Sequence, residues 1–333
     1  LDPSWDWSRY GTGDVYGNMY SYPMAIDHFA NGDFIVCSTD ANYQGCHKYD
    51  KGGDYISTFT TATNPTSIHI DEANGEVWTN SYAQNVRKFD LSGNMILSSF
   101  GGNSLGIDIF VDSEDNLWMS NFGTGISKYD SSRNLVFGGM TSFGGDSCGS
   151  QCQAFFAEDL DGNIWVSMSY KHKLYKIDKA GNHLLTTGPS IHTVGAGLTY
   201  PNHIEIDKNT GNIWVVAEFT YGAMEFDKYG NFLQRAGGQT TGMHSSYPAG
   251  LGYEEGKFKD PMGLSVYDGK LYIVDYLAFG TNEASIQRID IGYPEPDQTP
   301  SYISDTMGYG DRFAIYDTSY GAGTQTACSG STT

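Results

Sequence analysis

What most constrains this chain is a unit repeated along most of its length. The fullest copy is Tyr200–Arg235, YPNHIEIDKNTGNIWVVAEFTYGAMEFDKYGNFLQR. His203–Asp207 alternates polar and apolar residues, with Ile204 and Ile206 on one face. Asn212–Ala217 is an apolar run around Trp214, and Ala223–Phe226 follows. The turn Asp227-Lys-Tyr-Gly230 then leads into Phe232–Arg235. Alternation of period two between Gly/Asn/Asp clusters predicts β-strands joined by tight hairpins. Four short antiparallel strands in about 40 residues make one blade of a β-propeller.

The unit recurs. Asp71–Trp78 runs on to Lys88–Asn94, Asp112–Trp118 to Lys128–Asn134, and Asp159–Trp165 to Lys176–Asn182. Asp27–Phe34 with Lys48–Asp50 is an earlier copy, and Asp268–Tyr272 with Arg288–Asp290 a later one. The pattern predicts an all-β fold, a six-bladed β-propeller of four-stranded antiparallel blades. The second-strand aromatic is expected to pack between neighbouring blades. Blades are expected at about 16–60, 61–102, 103–145, 152–188, 198–238 and 260–290. Trp7-Ser-Arg-Tyr-Gly11 matches Leu97-Ser-Ser-Phe-Gly101, a fourth strand elsewhere. Residues 1–13 are therefore expected to close the ring on the last blade and remove its open edge. The propeller domain is placed at residues 1–290, with 291–333 as a C-terminal extension. Gly/Ser-rich inserts at 138–152 and 239–260 are expected to cover one face of the disc.

The pattern P-x-x-I-x-I-D…G-x-I-W…F-D-x-x-G-N resembles the NHL and streptogramin-lyase-like six-bladed propeller repeats. The Asp112–Asp130 copy is also similar to the repeats of bacterial two-component-regulator propellers. The resemblance covers roughly residues 15–290. It implies a propeller, and a group that holds lyases, lactonases and pure binding modules, so fold does not set activity.

A charge of −20 and 39 acidic against 19 basic residues exclude a nucleic-acid partner, which needs a basic surface. They also disfavour docking on anionic lipid. No apolar run is long enough to span a bilayer. The start at Leu1-Asp2-Pro3 suggests a removed signal peptide and a secreted, extracellular protein. Among five cysteines, Cys37 and Cys46 flank a hairpin, and Cys148 and Cys152 flank a short loop. Both pairs are expected as disulfides, which an oxidising compartment permits. Cys328 is left over, and no N-x-[ST] sequon without Pro occurs.

Candidate chemistry lies on the first strands. Ile68, Ile70, Ile204 and Ile206 should pack between blades, leaving Ser67, His69, Asp108, His203, Glu205 and Ser265 to face the channel. Two His and two carboxylates converging on one axis, His69, Asp108, His203 and Glu205, form the candidate set for a divalent cation. In the lyases that the repeat resembles, His and Glu residues around a metal do the work. That implies His203, Glu205 and His69 as catalytic residues, were this chain an enzyme. His28, His47, His172, His183, His192 and His244 are expected at the surface. Asp159-Leu-Asp-Gly-Asn163 resembles half a calcium loop but has no distal Glu, so a hairpin turn is expected there.

Tyrosine is abundant, at 24 residues, and suits stacking on carbohydrate or contact between subunits. Residues 294–300 read as a linker, Phe313–Tyr316 as a short strand, and Thr324–Thr333 as a small, polar tail. The leading expectation is an extracellular, non-catalytic binding or structural propeller that self-assembles into an oligomer or filament. The tail and Cys328 would join that contact, and further partners would be copies of itself, a surface glycan or another extracellular protein. The alternative is a metal-dependent lyase or lactonase with its site at the central channel.

Overall fold

The structure, a computed structural model, describes residues 8–10, 23–39, 44–60, 63–82, 86–100, 105–149, 152–187, 197–236, 258, 260–275 and 285–291. Among these, six four-stranded antiparallel sheets stand as blades. Within each, strands a to d run outward from the channel. The a strands are Pro23–His28, Pro65–Asp71, Gly106–Val111, Ala154–Glu158, Pro201–Ile206 and Pro261–Tyr267. Each touches the a strand on either side, the sixth touches the first, and the circuit closes. Ser8–Tyr10 pairs antiparallel with Ser285–Asp290, Ser8 opposite Arg288. Blade six thus takes its outer strand from the N-terminus, as expected. The rest of the expected closing segment, residues 1–7 and 11–13, lies outside the described residues. So do the insert 239–257, the extension 292–333, Cys328, His192 and His244.

Each c–d hairpin repeats one device. In blade two, the Asp90 carboxylate accepts the backbone N–H groups of Ser92 (2.9 Å) and Asn94 (2.8 Å), and the Asn94 amide (2.8 Å). Asp130/Asn134, Asp178/Asn182 and Asp227/Asn231 do the same. The fourth turn residue must be left-handed, which favours glycine. Gly93 sits at φ +88°, and a Cβ there would meet the Phe59 carbonyl of blade one at 3.0 Å.

The a–b hairpins come in two lengths. In blades three and four the Asp stands six positions before the Trp. Its carboxylate caps the turn and also takes the indole N–H: Trp118 to Asp112 at 2.9 Å, Trp165 to Asp159 at 3.2 Å. In blades two and five one extra residue separates Asp71 from Trp78 and Asp207 from Trp214, and neither buried indole nitrogen has a hydrogen-bond partner. All four Trp are fully buried. Trp165 packs with Leu198, Ile204 and Ile206 of the next blade, and Trp214 with Leu264 and Ile273. Truncating one to Ala would cost about 3–5 kcal/mol. Ile35 and Tyr272 take the Trp place in blades one and six.

Cys37 and Cys46 are directly opposed on neighbouring strands and bonded, and Cys148 and Cys152 are bonded across a short loop, both as expected. The loop at 142–147 is a two-stranded hairpin, Ser142–Phe143 against Asp146–Ser147. Asp159 is a hairpin residue too. Its carboxylate accepts Asp161, Asn163 and Trp165 and pairs with Lys176 at 2.6 Å.

Candidate functional site: the central channel

The repeat places one residue of each a strand at an equivalent point, the x of I-x-I-D: Asp27, His69, Phe110, Ala157, Glu205 and Ser265. Asp27, His69, Phe110 and Glu205 are half-buried, whereas Ala157 and Ser265 are buried. Alternation sends the neighbouring Ile26, Ile68, Ile109 and Ile204 into the core between blades. Two positions earlier lie Ser67, Asp108, Phe155 and His203, all at most 8% exposed.

Three of the six expected channel residues prove to be wall. Ser67 donates its hydroxyl to Asp108 Oδ1 at 2.5 Å, and the Phe156 N–H of blade four donates to Asp108 Oδ2 at 2.9 Å. Asp108 therefore ties blades two, three and four together. Ser265 Oγ lies 3.0 Å from His28 Nδ1 across the seam between blades six and one. The physical reason is common to all three. A polar group buried between sheets loses water and takes the nearest protein partner instead.

Asp27 has the same role and was not singled out in the sequence. It accepts the N–H of His28 (2.8 Å) and of Ile70 in blade two (2.7 Å). The signal was there: Ile26-Asp27 occupies the position of Ile68-His69 and Ile204-Glu205. His28 and His47, expected at the surface, are also enclosed. His28 stacks on Tyr267 at 5.2 Å and lies 4.2 Å from the Tyr272 ring, while His47 is only 6% exposed.

His69, His203 and Glu205 remain open to the channel or beside it. Asp27 Oδ2 stands 4.0 Å from His69 Nδ1. The His69 ring meets Phe110 at 5.0 Å, and His203 meets Phe155 at 6.1 Å. Burial pushes Asp27 and Asp108 up to about 7 despite their hydrogen bonds. Burial, with Asp27 and Asp108 nearby, pushes Glu205 up to about 8. Burial draws His69 down to about 4, and burial with His69 draws His203 down to about 4. Near neutral pH Glu205 is thus mostly a carboxylic acid that can donate, Asp27 and Asp108 are close to half ionised, and the two imidazoles are neutral and can accept.

The fit to a divalent cation is poor. Among the described residues, no group of three or more His, Cys, Asp or Glu is placed to hold a metal ion. Asp108, one of the four expected ligands, has both oxygens held by the wall. No helix among the described residues is long and apolar enough to cross a membrane.

No protein-family model and no curated protein matches the chain. Solved structures do. One is a protein of unknown function from Bacteroides thetaiotaomicron, at TM-score 0.63 and 16% identity, covering 86% of this chain and 76% of that one. A second is virginiamycin B lyase from Staphylococcus aureus, at TM-score 0.58 and 10% identity, covering 86% and 99%. A third is an auxiliary nutrient binding protein from B. thetaiotaomicron, at TM-score 0.60 and 12% identity, covering 83% and 70%. At such identities the likeness is one of fold. The fold shared with these structures is the six-bladed β-propeller, as the repeat motif implied.

Proposed function

We propose that this chain is an extracellular binding and structural propeller that works by contact and assembles with copies of itself through its rim. The carrying observation is a belt of exposed apolar side chains on the outer strands of four consecutive blades. Ile56, Met95, Ile96, Leu135, Val136 and Leu184 are each 49–60% exposed. Single exposed apolar residues need no explanation, but recurrence at the start of one d strand after another does. The same strands end their sheets, so their open edges lie beside the belt. Two disulfides are compatible with an extracellular setting.

Assembly is tested by light scattering on the full chain at several salt concentrations, beside a double Ile96→Lys, Val136→Lys variant. Oligomers that fall apart in the variant support the reading. A full chain that is monomeric throughout removes it. Truncation after Ile291 separates the belt from residues 292–333. If truncation alone turns a monomer into an oligomer, the tail covers the belt in its own subunit.

One observation favours a second reading, a lyase or lactonase. His69, His203 and Glu205 lie on first strands along the channel, with Glu205 mostly protonated and both imidazoles neutral near pH 7. Such groups can exchange a proton with a bound substrate. The metal-dependent form of this reading requires Mg²⁺ or Mn²⁺ to bind with loss of affinity in His203→Ala; calorimetry without heat in either protein removes it.

A further inference from the structure

Alternation of strand direction puts the a–b and c–d hairpins on one face of the disc and the b–c and d–a connections on the other. The hairpin face carries the Asp-x-x-x-Asn turns and most of the acid. The opposite face differs. Its b–c connections in blades two to five each carry an aromatic residue, Tyr82 and Phe122 directly after the b strand and Tyr170 and Phe219 one residue later.

Between blades four and five these converge. Tyr200 is the hub. Its ring centroid lies 5.3 Å from Tyr170 (67°), 4.8 Å from His172 (71°) and 4.8 Å from Phe219 (88°). All four rings are half-buried, and none belongs to any core cluster of the described residues. Rings this steeply inclined do not close on one another as a flat stack. They pack edge to face, and each ring stays partly exposed, with polar groups alongside.

The polar groups are specific. Tyr200 N–H donates to His172 Nδ1 at 3.0 Å, so the ring proton sits on Nε2 and makes it a donor. Glu218 N–H donates to the Tyr200 carbonyl at 3.0 Å, which joins the two connections. Burial first, then the charges of Tyr170 and Glu218, raise the Tyr200 phenol. Burial also raises Glu218, while Asn202 hydrogen-bonds it. Asn202 immediately precedes His203 of the channel wall.

We infer that the Tyr170–His172–Tyr200–Glu218–Phe219 cluster is a saccharide-binding site beside the channel mouth. Ring faces take the C–H face of a pyranose, and a carboxyl, an imidazole N–H and phenol hydroxyls take its hydroxyls. The chain's net charge of −20 favours an uncharged sugar over an anionic one. This deepens the binding role proposed above and rests on it, but it uses a face apart from the rim.

The test is saturation-transfer NMR on the full chain with cellotriose, mannotriose and N,N′,N″-triacetylchitotriose, with choline chloride as a cationic competitor. Transfer to the C–H protons of at least one sugar is expected. Affinity should fall about tenfold or more in Tyr170→Ala and in Phe219→Ala, two half-exposed positions, with an unchanged melt as the check on folding. Binding that is indifferent to both variants, or no transfer to any of the three, overturns the inference. So does binding of choline alone, which would mark a cation cage. Light scattering on the same samples keeps the two proposals apart, since a monomer that binds sugar loses only the assembly reading.

Discussion

Two populations of carboxylate sit on this one disc and behave oppositely. On the hairpin face, hydrogen bonds from Asn94, Asn134 and Asn182 hold Asp90, Asp130 and Asp178 below the usual carboxylate range. In the channel, burial lifts Asp27 and Asp108 to about 7 and Glu205 to about 8. Asp90 and Asp108 both accept backbone and side-chain hydrogen bonds, so bonding alone does not separate them. Water does. At a turn the anion keeps its solvent and adds donors. Inside the ring it exchanges solvent for two or three donors, and the loss exceeds the gain.

The largest effect is expected from Asp108→Ala. It leaves the Ser67 hydroxyl and the Phe156 N–H buried without an acceptor, at a cost of about 2–4 kcal/mol in denaturant unfolding. A change below about 1 kcal/mol would mean that Asp108 is not a tie between blades.

Next comes the pH dependence. Folded-state values raised above the unfolded ones mean that the carboxyls contribute stability at low pH and lose it as pH rises through 7–8. The lowered His69 and His203 contribute above their unfolded value and lose stability as pH falls through about 4. Between about 4.5 and 6.5 the two slopes oppose, and above that only the carboxyls remain. Glu205→Gln should therefore gain on the parent progressively from pH 4.5 to 8, by about 1–2 kcal/mol at pH 7. A difference constant across that range refutes the protonated channel.

Asp112→Ala probes a hairpin carboxylate that also holds an indole. It should cost about 1–2 kcal/mol, while Asp71→Ala, whose Trp78 it does not bond, should cost less. Equal losses would show that the extra turn residue is immaterial. The smallest effect is expected from Asn182→Ala on the solvated face, within about 0.5 kcal/mol by thermal melting.

The blades were legible because Trp78, Trp118, Trp165 and Trp214, with an Asp-x-x-Gly-Asn turn after most of them, mark each repeat with both core and turn chemistry. Ring closure was legible because Trp7–Gly11 repeats an outer strand in isolation. The two disulfides followed from hairpin spacing. The channel was legible only in part. Alternation assigns a side chain to one face of a strand, but not to the gap between strands, and Ser67 and Asp108 lie in that gap. In five a strands the pairing register shifts near the start, as between Gly106 and Asp108, which alternation also does not show. The cluster around Tyr200 was not legible at all. Its rings come from three connections, and only the ring of blades brings them together.

The N-terminal strand also imposes an order in time. Ser8–Tyr10 is made long before its partner Ser285–Asp290, with five blades of chain between them. At about 5–20 residues per second, a growing chain waits tens of seconds before that pairing exists. Throughout the wait the first blade lacks its neighbour on one side, with Phe34 and Tyr49 facing water instead of Tyr272 and Val274. The step that completes the disc is then the joining of the two most distant parts of the chain, a slow, non-local contact. Whatever shields that first blade on or near the ribosome sets how much of the chain survives to become a ring.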